Sequence, residues 1–232
     1  MHTNPRITEI VIYLYQIYCP LAFLSDEFTH YDLHSENVLI HQPSKNNTQY
    51  IKMIYHYPDD SVVEIKTFGI AKIIDYGRCY FHDREQNLSS KDFYDMLCKT
   101  KECDPDCGKH VGFSTLGPEH FPGSFYHISS QKRNASHDLR LFYMISRYFE
   151  GLQRKLEYTH EYGTAEIIHN ENIFERGGKI KNVKDAHLYL KYIIMTDPMF
   201  MREIEQRFAG TTEYGELHCW VDGSRPMQFT KH

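Results

Sequence analysis

Apolar side chains at Ile10, Leu14, Ile17 and Leu21 recur every three to four residues between Thr8 and Leu24, which aligns them on one face of a helix. A stripe of that kind has to be covered, so the chain opens with a helix that needs a partner layer. The apolar run from Ile10 to Leu24 is interrupted by Gln16 and Pro20. It is also shorter than the ~20 residues a bilayer core requires. A buried core helix, bent or ended at Pro20, is therefore expected, with no membrane partner. The 232 residues are 41% hydrophobic and include 18 Tyr and 14 Phe, enough to supply the covering layer within one domain and far from the composition of a disordered chain.

Beyond the helix, Val38-Leu39-Ile40 is a short strand-type run followed by a polar loop from Gln42 to Gln49. Tyr50 to Tyr57 and Ser61 to Thr67 are rich in β-branched and aromatic residues, and Pro58-Asp59-Asp60 between them predicts a hairpin. Ile70 to Asp75 is a further buried strand, stopped by Tyr76-Gly77. From Arg78 to Ser136 the pattern is irregular apart from a helical stretch near Asp92 to Lys99, and an irregular segment of that length is usually functional. Asp138 to Tyr158 predicts a helix with Leu139, Phe142, Ile145 and Phe149 on one face. Asp185 to Met195 and Pro198 to Phe208 predict two more, the last opened by Asp197 as N-cap and proline at the first position. The tail from Gly215 reads as a loop-like closing segment, with Trp220 as its anchor.

A net charge of −5 gives no general attraction to polyanions, so no nucleic-acid partner is expected. No basic start, apolar core and small-residue cleavage site occur together at the N-terminus. An intracellular setting, cytoplasmic or nuclear or in a virus-infected cell, follows as the expectation. Six Cys there mean reduced thiols or metal ligands rather than disulfides.

Two short segments carry chemistry. In His30-Tyr31-Asp32-Leu33-His34-Ser35-Glu36-Asn37, a carboxylate that can orient or deprotonate an attacking hydroxyl precedes by five residues an amide oxygen that can ligate Mg²⁺. In Ile73-Ile74-Asp75-Tyr76-Gly77, a second carboxylate stands at the end of an apolar run, where it can bridge metal and phosphates, and Gly77 permits a sharp turn. The two in this order, each beside a strand-type run, resemble the catalytic loop H-x-D-x-x-x-x-N and the metal motif D-[FY]-G of the eukaryotic-like protein kinase superfamily. That resemblance implies Asp32 as base or orienter, Asn37 and Asp75 as Mg²⁺ ligands, ATP as cofactor, and His30 as a structural support beneath the loop. It also implies a role for Asp138 in Ser136-His137-Asp138-Leu139-Arg140: in the family an Asp at the start of the helix after the activation segment accepts hydrogen bonds from the catalytic-loop backbone. An ordinary helix N-cap is the alternative for Asp138.

The match extends from about Thr8 to Phe208, with residues 209–232 as an unmatched tail of a single domain, residues 1–232. The fold it implies is α+β and mainly α: a kinase-like large lobe with short β-hairpins. Only 29 residues precede His30, and they hold no Gly and no Lys. The small lobe that covers the nucleotide is thus expected to be absent, or supplied by another chain or by a homodimer partner. Tyr31 replaces the Arg that commonly pairs with a phosphorylated activation loop, which removes that kind of control. Asp32-Leu33-His34 is shared with aminoglycoside and choline kinases and with haspin-like protein kinases, which also carry Tyr after the metal-motif Asp. The insertion between Ile40 and Ile70 resembles haspin-like kinases and kinase-related proteins of large DNA viruses. Transfer of the ATP γ-phosphate to a protein Ser/Thr hydroxyl is the leading function. A pseudokinase that binds partners without catalysis and a small-molecule kinase are the alternatives.

Cys98, Cys103, Cys107 and His110 form the pattern C-x4-C-x3-C-x2-H. Three thiolates and one imidazole suit the tetrahedral shell of structural zinc. Free thiols are the leading reading of the same run, with Asp104-Pro105-Asp106 a simple turn, and zinc is the alternative. Cys19, Cys79 and Cys219 are expected as small buried residues.

Overall fold

The computed structural model describes residues 7–44, 46–92, 112–115, 125–128, 133–148, 180 and 182–232. The chain is α+β and divides into two compact units. One comprises Met1–Phe23, Val38–Lys72 and His187–His232, and the other Leu24–Asn37 and Ile73–Ala186.

In the first unit, helix α1 (Ile7–Leu24) buries twelve residues. It is long and apolar enough to cross a membrane by length and composition, yet two thirds of it is inside the structure. The burial runs around the helix instead of along one stripe: Val11, Ile12, Tyr15 and Tyr18 are as inaccessible as Ile10, Leu14 and Ile17. Each large apolar side chain so placed contributes roughly 1.5–3 kcal/mol. Gln16 in this surface is satisfied by the sheet side: its amide nitrogen donates to Thr67 Oγ1 and Gly69 O, and its oxygen accepts from Ala71 N at 2.8 Å. Helix α1 does not end at Pro20 but runs on to Leu24. Pro20 itself is exposed.

The sheet has the order β11-β10-β3-β4. Strands β3 (Gln49–His56) and β4 (Val62–Thr67) form the expected hairpin; Asp59 Oδ1 accepts from Ser61 N and Oγ, and Asp60 takes the left-handed conformation the turn needs. Alternation in β4 buries Val63, Ile65 and Thr67 and exposes Val62, Glu64 and Lys66. The tail is not a loop. It forms β10 (Thr212–Trp220), which runs parallel to β3, and β11 (Gln228–Lys231), antiparallel to β10. Gly215 is there for close approach, since a Cβ would lie 2.3 Å from Thr230 O. Trp220 is half-exposed and stacks on His56 instead of anchoring a tail. This sheet is more extensive than the short hairpins expected.

Helix α3 (Val183–Thr196), which belongs to this unit from His187 onward, and α4 (Pro198–Phe208) complete it, Asp197 capping α4 by accepting from Met199 N and Phe200 N. Phe208 packs on Tyr50 and Phe68, and Arg207 donates twice to Glu9 Oε1. Strands β2 (Val38–His41) and β5 (Ile70–Ile73) pair separately; β5 is half-buried at most, unlike the buried strand expected, and Leu39 and Ile40 of β2 are exposed.

In the second unit, β1 (Phe28–Thr29), β6 (Tyr80–Asp83) and β7 (Leu88–Ser89) form a small antiparallel sheet, and β8 (Gly112–Thr115) pairs with β9 (Phe125–Ile128). A single 3₁₀ turn, Ser35–Asn37, precedes β2, and helix α2 spans Leu139–Tyr148 with Leu139, Leu141 and Phe142 buried. The remainder of the helices predicted over 92–99 and 138–158, including Phe149, lies outside the described residues.

Candidate active site

The two motifs lie in the second unit, and hydrogen bonds to the main chain of Ile74 bind them together. Asp138 is buried and accepts from His30 N at 2.7 Å and from Tyr31 N at 2.9 Å, one on each carboxylate oxygen. Tyr31 has φ 65°, a conformation that costs a non-glycine residue about 1 kcal/mol or more and is sustained by those two bonds. The turn leading to Asp138 is built by Asn134, whose Oδ1 accepts from Ser136 N and His137 N, while Asn134 N donates to Thr29 Oγ1.

His30 is one neutral tautomer by its contacts. Its Nδ1 accepts from Asp32 N at 3.3 Å, so Nε2 carries the proton and donates to Ile74 O at 3.0 Å. Burial lowers its pKa below the usual imidazole value, against the carbonyl of Ile74 and the charges of Asp32 and Asp75. Ile74 N in turn donates to Asn37 O at 3.0 Å. Both peptide groups of Ile74 are thereby held by the first motif, and Asp75 follows with φ 63°. Asp75, Tyr76 and Gly77 are exposed.

Asn37 Nδ2 donates to Asp32 O at 2.8 Å, which fixes the amide so that its oxygen is the atom able to serve a metal. The Asp32 carboxylate lies 3.1 Å from Arg140 Nη1 on one oxygen and 3.5 Å from Arg78 Nη1 on the other, with His34 Nε2 at 3.7 Å. Asp32 and Arg140 are both largely buried, so the pair is little screened by solvent. His34 has a lowered pKa, chiefly from burial and then from Arg140, opposed by Asp32, Glu36 and Asp75.

Asp32, Asn37, Asp75, Gly77, His30 and Asp138 thus lie in one unit, and the fields of Asp32 and Asp75 both reach His30 and His34. Cys98, Cys103, Cys107 and His110 lie outside the described residues. Cys19, Cys79 and Cys219 are buried free thiols with pKa values raised by burial. Arg78 and Arg140 carried no sequence expectation; their signals were an Arg next to the metal-motif glycine and an Arg two residues after Asp138. A groove of about 280 Å³ in the first unit, lined by Ile12, Ile65, Ile194, Phe200 and Ile204 among others, includes none of these residues.

The donor set fits magnesium: an amide oxygen and a carboxylate are hard ligands, and Mg²⁺ accepts few protein ligands beside water and phosphate oxygens. Compared with protein-family models, curated proteins and solved structures, the chain gives no match.

Proposed function

We propose that the chain is a protein-kinase-like phosphotransferase that moves the γ-phosphoryl group of ATP to a Ser or Thr hydroxyl of a protein. The observation that carries this is the double hold on the catalytic segment. Asp138 grips His30 and Tyr31 from one side, and Ile74 ties Asn37 to Asp75 from the other. Asn37 and Asp75 would hold Mg²⁺, which when bound neutralises charge developing on the phosphate oxygens. Asp32 orients the substrate hydroxyl. Its oxygen forms the new bond to phosphorus as the bond to the β–γ bridging oxygen breaks, ADP leaves with that electron pair, and the hydroxyl proton passes to Asp32 or solvent. Pairing with Arg140 and Arg78 makes Asp32 a better orienter than base.

Titration calorimetry with ATP and Mg²⁺ tests the site, with Asp75→Ala as control. Binding that the control abolishes supports it, and binding that rises with protein concentration assigns further contacts to a second copy. Phosphoryl transfer to protein substrates is expected to fall about 10²–10⁴-fold in Asp32→Asn. Transfer unchanged by that substitution overturns the assignment.

A second reading, a partner-binding module without catalysis, is favoured by the same ion pairs, which occupy both oxygens of Asp32. It predicts no transfer by the wild-type chain. Transfer to choline or an aminoglycoside in preference to histones would place the chain among small-molecule kinases, in line with His34 beside Asp32.

A further inference from the structure

We propose that the outer face of the β10–β11 pair binds a divalent transition-metal ion of the zinc class through Glu213, Glu216 and His232. The site is independent of the phosphotransferase reading and belongs wholly to the first unit.

In a regular strand, residues three apart point to opposite faces. The register of β10 against β3 shifts between Glu213 and Gly215, so one extra residue, Tyr214, is accommodated there. Glu213 and Glu216 therefore stand opposite Tyr50 and Lys52, which are two apart on β3 and share a face. A bulge that re-aims a side chain in this way is a recurrent device beside functional sites. Each carboxylate is then steadied laterally: Tyr50 Oη donates to Glu213 Oε2 at 3.2 Å and Lys52 Nζ to Glu216 Oε1 at 3.1 Å.

The third ligand arrives from the other side. His232 N donates to Tyr214 O at 3.1 Å, which ties the residue after β11 to the bulge itself. Its Nε2 lies 3.3 Å from Glu213 Oε1. One donor atom from each of the three residues falls within 4.8 Å of the others. Behind Glu216, His218 Nε2 stands 3.8 Å from Oε2, and its Nδ1 is 2.9 Å from His56 Nε2, a chain of outer partners of the kind that tunes metal ligands.

Charge and donor type choose the ion. Two carboxylates at this spacing repel, and Lys52, the ammonium beside them, is shared with Glu64 at 3.4 Å. A doubly charged cation offsets both. Imidazole nitrogen disfavours Mg²⁺ and Ca²⁺, and the absence of sulfur among the three donors disfavours Cu(I), which leaves zinc-like ions. Three protein donors leave a fourth tetrahedral position for water.

Cobalt(II) titration of the full chain, followed by zinc displacement, tests the proposal. A nitrogen–oxygen site gives visible d–d bands without the intense near-ultraviolet sulfur-to-metal band that the Cys98–His110 cluster would add. Such bands are expected. They should weaken at least about tenfold in apparent affinity in Glu213→Gln and His232→Gln and about tenfold in Tyr50→Phe, whose part is positioning. Asp75→Ala should leave them unchanged, which separates this site from the proposed magnesium site. Only sulfur-type bands, or the same affinity in both ligand variants, would overturn it.

Discussion

Both units bury ionisable groups whose charged forms their surroundings penalise, and a buried carboxyl in one and a buried imidazole in the other show this with opposite chemistry. In the second unit, burial pushes the Asp138 carboxyl up to about 7, against the two N–H donors from His30 and Tyr31. In the first, His187 on α3 is packed among Tyr15, Tyr57 and Phe23, shares a hydrogen bond of 2.8 Å between its Nε2 and the Tyr57 hydroxyl, and is pushed down to about 4 by burial and then by Lys191. Burial favours the neutral form in both cases. An acid raised in the folded state gives stability that is full below its unfolded value near 4 and is lost as pH rises through 7. A base lowered in the folded state gives stability that is full above its unfolded value near 6.5 and is lost as pH falls through 4. Between those limits the two groups respond to acid in opposite directions, so their slopes offset each other in the stability profile of the whole chain.

The contrast can be broken most severely at Asp138. Asp138→Ala removes the acceptor of two buried N–H groups and is expected to cost about 3–5 kcal/mol in urea denaturation. Next comes the slope itself. The wild type's advantage over Asp138→Asn should shrink by about 3–4 kcal/mol from pH 4 to 7.5. Its advantage over His187→Gln should grow by about 3 kcal/mol over the same interval. Slopes of the same sign would refute the comparison. Smaller still, Asp197→Ala should lose about 1 kcal/mol in the same denaturation, through loss of the cap on α4. Least of all, Glu64→Gln, breaking an exposed pair with Lys52, should change the urea midpoint by less than about 0.5 kcal/mol equivalent.

Where the sequence was informative, the signal was local. The β3–β4 hairpin followed from Pro58-Asp59-Asp60, and α4 from Asp197-Pro198, because turn and cap chemistry is decided within a few residues. The residues of the candidate site were named from two short motifs. The ties through Ile74 and the ion pairs of Asp32 were not legible, because they join positions far apart in the chain. Gly215 misled for a related reason. A glycine suggests a break, yet here it admits Thr230 across the strand pair, and the period-two alternation of Leu217 and Cys219 with His218 and Trp220 continues past it.

The parallel pairing of β3 with β10 has a consequence for the order of events during synthesis. Tyr50 and Glu213 are 163 residues apart, and nearly all of the second unit is translated between them. At roughly 5–20 residues per second, the β3 edge waits about 8–30 s for its neighbour. During that interval the β3–β4 hairpin presents an open strand bearing Ile51, Met53 and Tyr55 to whatever the nascent chain meets. The first unit to begin is thus the last to close, and a ribosome stalled before Thr212 would release a chain with an aggregation-prone edge.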